Sequence, residues 1–308
     1  MSAPAPFLRR LLGGLLYAFV ASLPLLLAVA IALTVQRPAP PSAPRPLTMT
    51  VVDVPNVELL ETWFDQQEYD WPPPDLIPAF ELTALPEGLD DLEPKRRKAL
   101  FFRLLLPIVL AENRLLREQR RFIEAAFARG ALDPTTEPGL SVEFMRQRYR
   151  IAGDLDEPRT RELLLRRVDE VPVALVLAQA ANESGWGTSR FAREANNLFG
   201  VWTWDQDAGL VPEQRRAGAR HLVRGYEDLR ASVRGYMRNI NIGHAYVELR
   251  KLRAQLRAAG LPLDALHLAG GLGRYSERGD AYIAEIRGMI EANDLAKLEG
   301  VQLESEPE

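Results

Sequence analysis

The 308-residue chain contains no cysteine, which excludes disulfides, thiolate metal ligands and cysteine nucleophiles. Histidine is nearly as scarce. His221, His244 and His267 stand singly, and no His-Glu-x-x-His spacing offers a metal site. Ser184 and Ser232 lack the His/Asp arrangement of a catalytic triad, and His221 near Asp228 is weak support for one. Surplus positive charge is also missing. A net charge of −4, with no basic patch interleaved with aromatics, argues against a nucleic-acid partner. Gly270-Gly-Leu-Gly273 resembles a phosphate loop only in its glycines, having no Lys-Ser/Thr pair and no strand before it. No cofactor is expected, and no internal repeat divides the chain.

What is present is a globular composition, 47% hydrophobic and 26% charged, with extra apolar sequence at one end. Arg9-Arg10 precede Leu11 to Val35, 25 uncharged and mostly apolar residues. At about 1.5 Å per residue, such a helix spans a bilayer core of roughly 30 Å. The arginine pair keeps residues 1–10 in the cytoplasm and sends everything after Arg37 outside. A retained single-pass anchor over 11–35 is the expectation. Ala30-Ile31-Ala32 keeps a cleaved signal peptide as its rival. Five prolines between residues 38 and 46 and a Trp71-Pro-Pro-Pro74 run mark residues 36–94 as a proline-rich spacer. Within it, Thr48–Val54 reads as a short strand, and Trp63, Phe64, Tyr69 and Trp71 as aromatics that dock onto the next domain. Helical periodicity then runs over Lys95–Arg129, broken or kinked at Pro107, and over Ser141–Ala152 and Pro158–Val168. It resumes over Leu229–Asn241, Tyr246–Ala259, Leu263–Gly270 and Asp280–Leu295. A polar, aromatic stretch over Asn196–Arg220 lacks that period and predicts loops or a small β-hairpin. The expectation is one mainly helical domain over residues 95–297 with an acidic, frayed tail over 298–308.

The chemistry concentrates on one helix. Val173-Ala-Leu-Val-Leu-Ala-Gln-Ala-Ala-Asn-Glu183 is almost wholly apolar, and its polar residues Gln179, Asn182 and Glu183 share a face. Gly185 and Gly187 stop it. A carboxylate at that end meets the negative pole of the helix dipole and poor solvation, and both disfavour its ionised form. A carboxylic acid that keeps its proton is what a glycosidase uses to protonate a leaving oxygen. Downstream, Asn196-Asn-Leu-Phe-Gly-Val-Trp-Thr-Trp204 offers the flat faces of Phe199, Trp202 and Trp204, on which the C–H faces of sugars stack. A second acid or base has three candidates: Glu213, Glu227 and Asp228. Asp228 reads as a helix N-cap with Glu227 beside it, whereas Glu213 lies in a loop next to Arg215 and Arg216. Tyr275, in a glycine-rich turn before an expected N-cap at Asp280, carries a hydroxyl able to orient a water or an acetamido group.

Ala178-Gln-Ala-Ala-Asn-Glu-Ser-Gly-Trp-Gly-Thr-Ser189 with Asn196-Asn-Leu-Phe-Gly200 resembles the signature of bacterial peptidoglycan N-acetylglucosaminidases, glycoside hydrolase family seventy-three. Leu105-Leu-Pro-Ile-Val-Leu-Ala-Glu-Asn113, Gly209-Leu-Val-Pro212, Arg238-Asn-Ile-Asn241 and Gly271-Leu-Gly-Arg-Tyr-Ser-Glu-Arg-Gly279 are similar to its Bax-type branch. The resemblance implies a mainly α, lysozyme-like α+β fold, two-lobed, with the loop or hairpin stretch as the small lobe. It implies cleavage of the β-1,4 bond after N-acetylglucosamine in peptidoglycan strands. It implies Glu183 as general acid with Tyr275 in support, and Glu213 remains a candidate second carboxylate. Gln179, Trp186, Asn196, Phe199, Trp202 and Trp204 are then the expected substrate contacts. With the anchor over residues 11–35, the enzyme is expected at the inner membrane with its catalytic domain in the periplasm. A lytic transglycosylase and a non-catalytic, membrane-tethered wall-binding protein are the alternatives. The former usually follows its Glu-Ser with Gly-Leu-Met-Gln, which is absent here.

Overall fold

A single helix of 35 residues, Pro94–Ala128, runs through the protein's core. The computed structural model describes residues 43–203, 205, 209–211 and 222–304, and these form one unit beginning at Ala43. The anchor expected over residues 11–35 lies outside them. Among the described residues no helix is long and apolar enough to cross a membrane.

In chain order the elements are β1 (Thr50–Val52), α1 (Val57–Gln66), β2 (Leu76–Ile77), β3 (Phe80–Leu82) and the long helix α2 (Pro94–Ala128). Then follow α3 (Glu137–Arg148), α4 (Pro158–Arg167), α5 (Val173–Ser184) and α6 (Arg190–Ala195). A small antiparallel sheet comes next, built from β4 (Trp202–Thr203), β5 (Gly209–Leu210) and β6 (Leu222–Arg224) in the order β4-β6-β5. The chain closes with α7 (Leu229–Ile242), α8 (Val247–Ala258), α9 (Ala265–Ala269), α10 (Asp280–Ala292) and β7 (Gln302–Leu303). The mainly helical class stands, and the expected hairpin is a three-stranded sheet. α5 is the centre of the helical layer: α2, α9, α10 and the 3₁₀ turn Leu295–Gly300 all pack on it. Every residue of α5 from Val173 to Ala181 is buried, which is why that helix carries an apolar residue at nearly every position.

Pro107 does not break α2. Its ring removes the amide that would bond the carbonyl of Arg103, four residues back. The hydroxyl of the fully buried Tyr69 donates to that carbonyl at 3.1 Å instead. The guanidinium of Arg103 returns a bond to the Tyr69 carbonyl and lies 4.2 Å from the centre of the Phe64 ring. The helix therefore continues because a residue from the preceding segment satisfies the orphaned oxygen.

That segment is not a spacer from residue 50 onward. Leu60, Phe64, Tyr69, Ile77 and Phe80 are fully buried, β1 pairs in parallel with β3, and Trp71 stacks on Phe102. Polar contacts lock it further. The buried Arg230 donates to Glu112 at 2.6 Å, to Glu81 at 3.0 Å and to the Leu47 carbonyl at 3.0 Å, joining α7, α2, β3 and the incoming chain. Proline density concealed this, because the apolar residues fall in stretches too short to show a period. The tail differs from expectation too: β7 pairs in parallel with β2, and the Glu304 amide donates to the Ile77 carbonyl. Asp280 opens α10 as its first residue, since Gly279 at φ 52° holds the cap position. Asp228, by contrast, caps α7 as expected, accepting from the Ala231 amide at 2.6 Å.

The N-terminus of α5 is held from the chain's other end. The Glu299 carboxylate accepts from the Ala174 amide at 3.2 Å. Dehydration of that carboxyl raises its pKa from 4.5 to about 7, against the opposing pull of the Ala174 and Val173 amides. Because the folded-state value is raised, its stabilising share is complete below about 4.5 and lost as pH rises towards 7. Glu299 is exposed as a residue, so solvent screens much of this effect. Wild type is expected to lose more stability than Glu299→Gln between pH 4.5 and 7 in urea titrations, and the Glu299 carboxyl signal to titrate near 7 by NMR.

The proline–tyrosine pairing gives a sharper test. Tyr69→Phe leaves a buried carbonyl unsatisfied and is expected to cost about 1–3 kcal/mol. In a Pro107→Ala background, which restores the helical amide, the same change is expected to cost clearly less in urea denaturation. Equal costs in both backgrounds refute the pairing.

Candidate active site

Glu183 stands in the last turn of α5, which Gly185 ends in the left-handed conformation at φ 58°. Its surroundings are not the low-polarity pocket that the sequence predicts. The side chain is half-buried, and its Oε1 accepts from the Tyr282 hydroxyl at 2.8 Å and from the Asn182 amide at 3.3 Å. Gly200, held at φ 62°, borders the carboxyl: a Cβ there would stand in ordinary contact with Glu183 Oε2, 3.8 Å away.

The carboxylate ends a chain of hydrogen bonds that starts in the core. Tyr236 of α7 donates to Gln179 Oε1 at 2.5 Å, and Gln179 Nε2 donates to the Tyr282 hydroxyl at 2.9 Å. The Tyr282 hydroxyl in turn donates to Glu183 Oε1. Gln179 and Tyr236 are buried, so each of these bonds replaces water that cannot enter. Burial raises the Tyr282 hydroxyl far above its usual range, and the nearby Tyr275 and Glu183 add to this. Burial first, and then the Glu183 charge, raise Tyr275 likewise. Both therefore stay protonated donors at any working pH. Tyr275 donates to the Phe199 carbonyl at 3.2 Å, and its ring lies 4.9 Å from that of Tyr282.

These groups line a cleft of about 980 Å³ walled by α7, the turn before α8, the Tyr275 loop and the small sheet. Phe199, 2% exposed, stacks on Tyr236 with ring centres 4.0 Å apart and presents little of its face to the cleft. Trp202, 56% exposed, also borders the cleft. The loop between them is held rigid by the buried Asn197, which donates to the Val201 and Arg224 carbonyls at 2.8 Å and accepts from the Val201 amide at 3.0 Å.

Of the residues expected to touch substrate, the structure brings Glu183, Tyr275, Phe199 and Trp202 to the cleft. Gln179 is wholly buried beneath it and acts through Tyr282. Trp186 turns the other way. Left-handed backbone at Gly185, Trp186 and Gly187 carries it back onto α2, where it packs edge-on against Phe102 at 5.2 Å, with Lys98 4.8 Å over its ring. Asn196, at φ 51°, ends α6 and donates to the carbonyls of Thr83, Tyr226 and Glu227 rather than facing the cleft. Trp204 and Glu213 lie outside the described residues. Among the described residues that line the cleft, Glu183 is the sole carboxylate. Tyr282 and Tyr236 are the members of the candidate site that sequence reasoning missed. Tyr282 begins the buried stripe Tyr282, Ile286, Ile290 of α10, and a phenol on such a stripe needs a hydrogen-bond partner.

The family model described as mannosyl-glycoprotein endo-beta-N-acetylglucosaminidase matches residues 164–295, which contain the whole hydrogen-bond chain. Those residues thus form a glycoside hydrolase domain. Protein bax of Escherichia coli (strain K12) is 32% identical over 204 residues, covering 64% of this chain and 70% of its own. The chain belongs to the Bax-type branch of the bacterial peptidoglycan N-acetylglucosaminidase family, glycoside hydrolase family seventy-three. Among solved structures, the catalytic domain of the autolysin Auto from Listeria monocytogenes aligns over 59% of this chain and 96% of its own, at 18% identity and a TM-score of 0.33.

Removing the Tyr282 hydroxyl strands Gln179 Nε2 in the core and frees Glu183 Oε1. Tyr282→Phe is expected to lower stability by about 1–3 kcal/mol, read as a lower urea midpoint. A variant as stable as wild type would show that the chain of bonds is not maintained.

Proposed function

We propose that this protein hydrolyses the β-1,4 bond after N-acetylglucosamine in peptidoglycan glycan strands, within a lysozyme-like two-lobed fold. Glu183 is the general acid. Its proton passes to the glycosidic oxygen as the bond from C1 to that oxygen breaks, and water completes the exchange at C1. The observation that carries this reading is the bond from Tyr282 to Glu183 Oε1 beside an open cleft. That bond fixes the carboxyl's orientation and offers a donor to the carboxylate left after proton transfer. A second group must support the opposite face of the sugar ring. Tyr275, a protonated hydroxyl beside Glu183, is suited to hold the substrate's own acetamido oxygen there by exchanging its Phe199 acceptor for it. Glu213 is the alternative. Trp202 offers a face on which a sugar stacks. The N-terminal sequence supports tethering at the inner membrane through residues 11–35, with the enzyme acting in the periplasm.

Glu183→Gln is expected to lower release of fragments from purified sacculi by at least about 10²-fold with an unchanged circular dichroism spectrum. Near-normal release refutes the assignment. Mass spectrometry of the products separates the rivals: reducing-end N-acetylglucosamine supports hydrolysis as proposed, and anhydro-muramic ends identify a lytic transglycosylase. Strand binding without fragments, unaffected by Glu183→Gln, identifies a wall-binding protein. Glu213→Gln is expected to retain most activity if the acetamido group assists, and to lose it about as fully as Glu183→Gln if Glu213 is the second acid or base.

A further inference from the structure

The cleft carries an electrostatic feature that a neutral sugar does not require. Arg150, Arg224, Arg238 and Arg278 all line it, in a chain whose net charge is −4. Arg278 is neutralised by Glu285 at 2.8 Å. The other three pair with no carboxylate among the described residues. Arg150 and Arg224 are exposed, and Arg224 lies 5.2 Å from the centre of the Tyr226 ring. Arg238 is half-buried. One of its terminal nitrogens donates to the Arg148 carbonyl at 3.1 Å, while its Nε is buried with no acceptor among the described residues. Burial, and then the like charges of Arg148 and Arg150, with a weaker one from Arg224, depress its pKa.

Clustered guanidinium groups repel one another, and an unsatisfied buried N–H carries a further penalty. Both costs are relieved when a planar anion bridges the group, since carboxylates match the guanidinium fork. The three arginines come from separate places: the turn after α3, the end of β6 and the middle of α7. What they share is the cleft that holds Glu183.

We propose that Arg150, Arg224 and Arg238 form a subsite for the carboxylates of the peptide borne by the glycan strand, making the peptide-bearing strand, and not naked glycan, the preferred substrate. This rests on the glycan-strand reading above. The carboxylates are the anions that such a strand brings into a cleft seating its sugars.

The test compares intact glycan strands with the same strands stripped of peptide by an amidase, the lactyl carboxylates this exposes then being capped as amides, using the full chain. Wild type is expected to show kcat/KM about tenfold higher on intact strands, and that preference is expected to shrink as salt rises. Arg150→Gln and Arg224→Gln replace exposed side chains and so preserve the fold. Each is expected to reduce the intact-to-stripped ratio about three- to tenfold, through KM. A wild-type ratio near one, or equal losses on both strands, overturns the subsite. Failure to cleave either strand overturns the glycosidase reading instead. In that event strand binding by Glu183→Gln decides the subsite: tighter, salt-sensitive binding of intact strands upholds it, and equal binding of both overturns it.

Discussion

A glutamine amide buried away from water must find every hydrogen-bond partner inside the protein, and Gln179 is wholly buried. Its oxygen is taken by Tyr236 and its nitrogen donates to the Tyr282 hydroxyl. A phenol that accepts one bond has a single proton left to give, and the acceptor within reach is Glu183 Oε1. The direction of every bond in the chain follows from that one amide. The core thereby sets where the Glu183 carboxyl points, and the constraint reaches the cleft through three side chains on three helices, α5, α7 and α10. Any packing change that shifts one of those helices is transmitted to the acid.

The rest of the fold keeps those helices in place. α5 and α7 both lean on α2, and α2 bears buried polar residues that act as clamps. Glu112 receives both Arg230 and Arg234 from α7. Asn113 exchanges two hydrogen bonds with the backbone of Val171, just ahead of α5. The Ala-Glu-Asn stretch that resembles the Bax-type branch is therefore a framing device, adjusting the two helices that bear Glu183 and Tyr236. The N-terminal segment performs a similar service for α2, covering the gap left by Pro107 with the Tyr69 hydroxyl.

Much of this was legible beforehand, and the reasons are physical. α5 announced itself because a helix buried on all sides has little choice but apolar residues, so its few polar positions stand out. The end at Gly185 and the cap at Asp228 were legible because both are local backbone requirements. What stayed hidden depends on contacts between residues distant in sequence. The proline-rich region around β1 to β3 reads as a linker until its short apolar stretches meet α2. Trp186 and Asn196 were assigned to the cleft because they neighbour Glu183 and Phe199 in sequence. Left-handed backbone at each of them turns the side chain elsewhere. Tyr282 escaped notice because its partner lies 99 residues away and nothing within its own helix marks it as more than a core aromatic.

The site thus divides into parts with different tolerances. Its floor is a buried polar chain in which removing one partner strands the next, so its residues act as a unit and their effects do not add. Its rim consists of a small sheet and the arginines Arg150, Arg224, Arg238 and Arg278, exposed or half-buried. On the proposed reading, protonation belongs to the floor and the choice of strand to the rim, because the exposed rim residues can change charge without leaving a core group unsatisfied.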